Sequence, residues 1–353
     1  MMKRALLFSG YNQRSVIALC RYFSKIGIEI LIVSSGKNDS IYQTVYNKNV
    51  IFERLDSRLN IQIFEKVASY YTGPIIYCPT SEYLNRFVLE NYDELIKLDI
   101  EPGMPLEEIY TKVTNKRSSQ DIVKYVSGVK IPKEMPVSEA KIPCVLKPYT
   151  NIADCKVLYP IICQDDSVLR DALSNIKPEY YFAQEFIEGQ SYYLCGVLAK
   201  NGEFCCYWQE NLLQQGNGKS MVLARSCKNP GLNENLFFNA IHSSGYYGIM
   251  MTEFIKRKDE LYYIETNPRF WGPFQLAIDH CSRIMDFYMK EWFGVCTHGC
   301  NREATDYYAW YYGAKQSGLK KYPSINNINN VDFLLEKYDV YNRGDTVDLH
   351  KRY

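Results

Sequence analysis

YYIETNPRFWG, Tyr262 to Gly272, reads as a strand that runs into a turn. Its start is aromatic and apolar, as a strand should be. Its end is not ordinary. Glu265, Asn267 and Arg269 alternate, so an extended chain carries all three on one face. A carboxylate, an amide and a guanidinium in a row do little for a sheet. They suit a metal ion and a phosphate group. Pro268 ends the ladder between them.

The stretch is the second arm of a hairpin, IMMTEFIKRKDELYYIETNP, Ile249 to Pro268. Taking Asp259 as the centre, six residues back is Glu253 and six forward is Glu265. The two glutamates then face each other across an antiparallel pair. Like charges in that position are destabilising, and more so in strands this apolar than at a wet surface. A divalent cation shared between them converts repulsion into binding. Asn267 adds a third oxygen donor on the same face, a set that fits Mg²⁺. Surface glutamates on a solvated hairpin are the plain alternative, and Asn267 and Arg269 in register weigh against it.

Two lysines stand upstream. Lys147 lies within CVLKP, an apolar strand, where an ammonium needs an anionic partner. Lys116 lies in a helical stretch, where an exposed salt bridge would explain it equally well. QEFIEG, Gln184 to Gly189, ends another strand. It offers backbone N–H and C=O groups beside an aromatic ring, as the edge of a purine requires.

Composition limits the remaining classes. The chain has 353 residues, enough for two or three domains, with 46% apolar and 23% charged residues. Lys plus Arg is 41 and Asp plus Glu is 40, which argues against a nucleic-acid binder working by phosphate neutralisation. Twelve cysteines, Cys155 among them, are scattered without a CxxC pair and read as small buried hydrophobes of a reducing cytoplasm. Cys296, His298 and Cys300 fit no common zinc spacing. The apolar run after MMKR is too short for a signal peptide, and no run approaches a membrane span, so a cytoplasmic protein with no membrane partner is expected.

Along the chain, strand Ala5–Ser9, helix Arg14–Ile26 and strand Ile28–Ser34 predict a parallel crossover unit. The turn GYNQRS is not GxGxxG, so no dinucleotide fingerprint is present. PIIYCP is a later strand, with Thr80 expected to cap the next helix. A break at Pro102–Pro105 is followed by one helix carrying Lys112 and Lys116 towards Tyr125. Strands at Pro143–Tyr149 and Tyr180–Gly189 bracket a short helix, Ser167–Asn175. A hairpin turns at Lys200–Gly202, and Asn233–Ser243 is helical. Asn211–Ser220, NLLQQGNGKS, reads as a mobile loop. Residues 301–353 show no pattern that places them.

The ordered set Lys116, VLKP with Lys147, QEFIEG, Glu253 and ETNPRFWG resembles the ATP-grasp superfamily. It is most similar to predicted ATP-dependent carboligases with an E-x-N-P-R-x-W-G signature, and the likeness spans roughly residues 1–295. It implies an α/β protein of the α+β ATP-grasp kind. An open parallel Rossmann-like domain over 1–105 would be followed by two lobes that clamp ATP, 106–180 and 181–295, with a C-terminal extension over 296–353. Carried over by motif, Lys116 and Lys147 would contact phosphates. Gln184, Glu185, Phe186, Ile187 and Glu188 would form the nucleotide hinge, largely through backbone. Glu253, Glu265 and Asn267 would hold one or two Mg²⁺, with Mn²⁺ as a substitute. Arg269 would steady the acyl-phosphate, and Arg225 would add a second anion contact.

The implied activity is ligation of a small carboxylate to an amine through an acyl-phosphate, with release of ADP and phosphate. The substrates are small molecules, and a homodimer is compatible with the resemblance. The loop YTNIADCKV after Lys147 lacks the glycines common in this superfamily. Gln190 and Ser191 stand where an acid for the ribose is usual, which leaves Glu188 for that task. A nucleotide-binding scaffold without turnover and a bicarbonate-using carboxylase are the competing readings.

Overall fold

The computed structural model describes residues 3–56, 58–150, 152–153, 156–216, 218–316 and 318–351. Cys155, Asn217 and the first two methionines, which figure in the readings above, lie outside the described residues.

The chain begins with β1 (Arg4–Phe8), α1 (Gln13–Ile26), β2 (Ile30–Ser34), β3 (Val50–Glu53), α2 (Ile61–Ser69) and β4 (Ile75–Tyr77). Then come α3 (Glu82–Glu90), α4 (Tyr92–Lys97) and β5 (Ile100–Pro102). The strands form a parallel sheet in the order β3-β2-β1-β4-β5. Both faces of β1 are buried. Ala5 and Leu7 join the cluster around α1, while Leu6 and Phe8 join α2 and α3. That is why ALLF reads as a continuous apolar run. Helix α1 stops at Gly27, whose φ of 74° lets the N–H of Ile28 reach back to the Phe23 carbonyl at 3.0 Å.

Next come α5 (Glu107–Thr114) and α6 (Lys116–Val123). The single helix expected here is two. Asn115 leaves helical geometry and its side chain accepts from the N–H groups of Arg117 and Ser118, capping α6. The expected cap at Thr80 also differs. Helix α3 starts after Ser81, and the Thr80 hydroxyl is buried with no hydrogen-bond partner among the described residues.

The chain then crosses between two sheets through β6 (Val129–Lys130) and β7 (Glu134–Met135). The smaller sheet takes β8 (Cys144–Pro148), β11 (Ile161–Cys163) and β12 (Tyr181–Glu185), in the order β11-β8-β12-β7, with α7 (Asp166–Asn175) packed on it. Between β8 and β11, β9 (Ile152–Ala153) pairs antiparallel with β10 (Lys156–Val157).

The larger, eight-stranded sheet contains β13 (Gln190–Leu198), β14 (Phe204–Gln214), β15 (Met221–Cys227), β16 (Gly248–Arg257) and β17 (Glu260–Asn267). Helix α8 (Glu234–Ser243) covers one face. Helices α9 (Phe274–His280) and α10 (Arg283–Tyr288) join the other face to the cluster around α1. Asn211 to Gln214 is therefore strand rather than mobile loop, and all four residues are buried. Only the turn beyond Gln215 remains of the expected loop.

The unplaced tail is ordered onto this sheet. β18 (Tyr307–Ala309) extends it beside β15, and α11 (Tyr311–Ala314) follows. β19 (Lys320–Lys321) pairs with the end of β14, and α12 (Val331–Lys337) and α13 (Val347–Lys351) complete the chain. Asp345 closes back on Arg21 of α1 at 2.7 Å. Among the described residues no helix is long and apolar enough to cross a membrane.

Candidate functional site

Glu253 and Glu265 are directly opposed in the β16–β17 hairpin. The reason is a β-bulge. From the turn, Arg257 faces Glu260 and Phe254 faces Tyr263. Regular pairing would then set Glu253 against Ile264 and turn Glu265 to the other face. Instead Ile264 is the extra residue, and Glu253 meets Glu265. Counting about Asp259 named the right pair, but the bulge is what makes it right. The displaced backbone is used: the Ile264 carbonyl accepts a hydrogen bond from Lys147 Nζ at 3.1 Å.

Around this pair the structure gathers the other polar groups. Lys116, buried at the first turn of α6, brings its Nζ to 3.5 Å from Glu265 Oε2. The Lys116 N–H bonds the Tyr149 carbonyl just past β8, which ties α6 to the strand carrying Lys147. Asn267 Nδ2 donates to Glu265 Oε1 at 2.9 Å, and Arg269 Nη2 donates to Asn267 Oδ1 at 3.3 Å. Ser191 Oγ donates to Glu253 Oε1 at 3.1 Å.

The electrostatics divide the two carboxyls. Burial and the neighbouring Glu265 push Glu253 up to about 7, against the opposing pull of Lys320, Ser191 and Lys147. Burial also works to raise Glu265. There the ammonium groups of Lys116 and Lys147, the Asn267 amide and Arg269 outweigh it, and its carboxyl stays below the usual range. Burial takes Lys147 down to about 8, with Lys116 adding to the shift and Glu265 and Glu253 opposing it. Two unit charges about 5 Å apart repel by roughly 3 kcal/mol at an effective dielectric near 20. Protonation of Glu253 and the ammonium groups of Lys116, Lys147 and Lys320 offset that repulsion here.

Two carboxylates and an amide oxygen are hard donors. The set fits a divalent ion of the magnesium kind. Among the described residues no group of three or more His, Cys, Asp or Glu side chains could hold a metal, so Asn267 is needed to complete this one. Cys296 and Cys300 are exposed and form no such group.

Other candidates fall differently. Arg225 is not brought to the cluster. Glu253 pairs with Tyr193, Tyr193 with Gln209, and Gln209 with Ser226, all on one face. Arg225 is the next residue, on the reverse face, and its Nε donates to Glu210 Oε2 at 2.7 Å. Strand parity and a neutralising partner remove it as an anion contact.

Within the hinge segment, the Gln184 amide is engaged by Lys147 Nζ at 3.3 Å and the Pro132 carbonyl at 3.1 Å. It positions Lys147. The Glu185 N–H bonds the Lys133 carbonyl at 2.8 Å, and its carboxylate takes Arg257 at 2.9 Å. Phe186 and Ile187 make no backbone hydrogen bond among the described residues, which leaves that edge for a ligand. Trp208 and Trp271 are core residues.

Sequence reasoning missed Lys320 and Tyr322. Both carry charge or hydroxyl into the surroundings of Glu253 from the tail. Neither stands in a recognisable motif.

No protein-family model matches the chain, and no curated protein matches it. Solved structures do. N5-carboxyaminoimidazole ribonucleotide synthetase from Thermus thermophilus superposes with a TM-score of 0.64 at 13% identity, over 94% of this chain and 96% of that one. The biotin carboxylase domain of Hydrogenobacter thermophilus 2-oxoglutarate carboxylase, solved with MgADP and bicarbonate, gives 0.63 at 14%, over 88% and 75%. L-amino acid ligase from Bacillus licheniformis gives 0.58 at 14%, over 85% and 75%. The chain spans 28% of the longer Rhizobium etli pyruvate carboxylase. At these identities the likeness shows the fold: the chain has the ATP-grasp architecture that its ordered motifs resemble.

Proposed function

We propose that the protein is an ATP-dependent ligase that activates a small carboxylate as an acyl-phosphate and joins it to an amine. One observation carries the reading. Lys116, Lys147, Glu253, Glu265, Asn267 and Arg269, from two sheets and a helix, meet in one partly buried cluster whose carboxylates face each other. We propose the same division of the chain that the resemblance implies: 1–105, the two lobes 106–180 and 181–295, and the tail. A cytoplasmic setting belongs to this reading and suits a chain with seven buried free thiols among the described residues.

In this reading the backbone of Phe186 and Ile187 takes the adenine edge. Lys116 and Lys147 hold the phosphates and offset charge on the transferring group. Glu253, Glu265 and Asn267 would hold Mg²⁺, which would supply positive charge to offset that of the phosphates. An oxygen of the substrate carboxylate attacks the γ-phosphorus, the bond to the bridging oxygen of ADP breaks, and ADP leaves. The amine nitrogen then attacks the acyl carbon, the bond to the phosphate oxygen breaks, and the amine releases a proton. Arg269 sits beside Asn267 to hold the acyl-phosphate. No side-chain nucleophile is needed.

The test is ADP release measured over a panel of carboxylates, bicarbonate included, with amines, using Glu265→Gln as control. Bicarbonate belongs there because the 2-oxoglutarate carboxylase relative was solved with it. Release stimulated by an acid–amine pair and lost in Glu265→Gln supports the ligase; no stimulation by any pair sinks it. Binding without turnover is the second reading. One observation favours it: Gln190, where a ribose acid is usual in the family, is tied to the Asn211 carbonyl and to Ser324.

A further inference from the structure

The tail residues 320–324 are held against the hinge side of the cluster. β19 pairs with β14 at Gln214–Lys320 and Leu213–Lys321. The Tyr322 N–H bonds the Leu212 carbonyl at 3.0 Å, and Tyr322 Oη bonds Gln214 Oε1 at 2.6 Å. Gln190 Oε1 accepts the Ser324 N–H at 2.8 Å, and Ser324 Oγ bonds Glu210 Oε1 at 2.5 Å. A position that lacks the expected acid, Gln190, is thus among those that anchor the tail.

These bonds deliver one ammonium group. Lys320 Nζ stands 6.0 Å from the centre of the Phe186 ring and 4.6 Å from that of Tyr322. Its charge is felt by Glu253, and Glu253 and Glu188 act on it in turn while burial weakens its hold on the proton. It stands beside the hinge ring of Phe186, near enough to Glu253 for each to act on the other. Among the described residues this half-buried ammonium lies against two ring faces. The ring faces are weak partners, and Glu253 belongs to the carboxylate pair.

We propose that Lys320, brought in by the C-terminal tail, contacts the phosphate chain of the bound nucleotide and makes the tail part of the nucleotide site. This rests on the nucleotide reading of the cluster above. An ammonium placed beside an adenine edge and near the metal carboxylates faces the anionic part of the ligand, and a charge-assisted hydrogen bond there is worth about tenfold or more in affinity. Gln190 and Ser324 act through Lys320 as positioning residues.

Calorimetric titration of the full chain with MgADP and with adenosine tests this. Lys320→Met should weaken MgADP binding by about tenfold or more and leave adenosine binding unchanged, while Lys320→Arg keeps most of the MgADP affinity. Gln190→Leu, which removes one tail anchor and leaves Lys320 intact, should weaken MgADP binding in the same direction and by less. Equal MgADP affinity in wild type and Lys320→Met overturns the inference and leaves the nucleotide reading standing. So does a parallel loss of adenosine affinity and thermal stability, which marks Lys320 as a structural prop. A wild-type chain that binds no nucleotide overturns both.

Discussion

Two cross-strand pairs in the same sheet treat charge in opposite ways. On one face Glu253 meets Glu265, like against like. On the other, Glu210 meets Arg225, whose guanidinium bonds it through Nε and Nη2 at 2.7 and 2.6 Å. The second pair is complete, with Tyr192 and Ser324 also on the Glu210 carboxylate. The first is unfinished, and its cost is written in the raised Glu253. A balanced ion pair serves the fold, whereas an unbalanced one is a candidate ligand site.

The largest expected effect comes from finishing the first pair artificially. Glu253→Gln should lower substrate-stimulated ADP release by about a hundredfold or more. The same change removes the repulsion, so its thermal midpoint in magnesium-free buffer at about pH 8 should rise by roughly a few degrees. Activity and stability moving apart in one variant is the signature of the unbalanced pair; a fall in both would erase the contrast with Glu210.

Next in size is the lysine beside the bulge. Lys147→Met should weaken MgADP binding by about tenfold or more, read by calorimetry. An unchanged affinity would mean that the ammonium serves only the Ile264 carbonyl and Gln184.

Breaking the complete pair should do the reverse of breaking the unfinished one. Glu210→Gln leaves Arg225 half-buried without its counter-charge and should lower unfolding stability by about 1–2 kcal/mol in urea melts. MgADP affinity should stay within about twofold. A larger loss of affinity would connect the reverse face to the site through Ser324.

The smallest effect is a pH dependence. Glu253 has its folded pKa raised to about 7, above its unfolded value. Between the unfolded pKa and about 7 the native state binds the extra proton, so this group's contribution to stability falls as pH rises through that window. Without magnesium, stability should therefore decline from about pH 5 to about pH 7 less steeply in Glu253→Gln than in wild type. MgADP affinity should climb over about pH 6 to 7.5 as Glu253 loses its proton; a flat profile would count against Glu253 as a ligand. Glu265, Lys320 and Lys147 act on this carboxyl, with Lys116 acting on Glu265 and Lys147, and together they set where the climb lies.

Much of the site was legible because its residues follow local rules. Alternation along ETN places Glu265 and Asn267 on one face whatever lies around them. Lys147 betrays itself by sitting in an apolar strand. Arg225 misled because its face depends on the register of four strands, which no local pattern carries. The break at Asn115 went unseen because a capping asparagine is also an ordinary helix residue. Asn211–Gln214 read as loop from its polar residues, yet their bonds to Ser191, Tyr322 and Lys219 make them a buried strand end. Lys320 had no motif at all.

From the residues alone came the donor types, their order along the chain, the strand–helix–strand opening and hence the ATP-grasp likeness. These depend on short-range alternation and periodicity, which one chain segment carries within itself. Which lysines reach the carboxylates, that Ile264 bulges out to let Glu265 turn inward, that Arg225 faces away, and that the tail returns to the hinge were decided only on folding. Each depends on which strand lies beside which, and that is a property of the whole sheet.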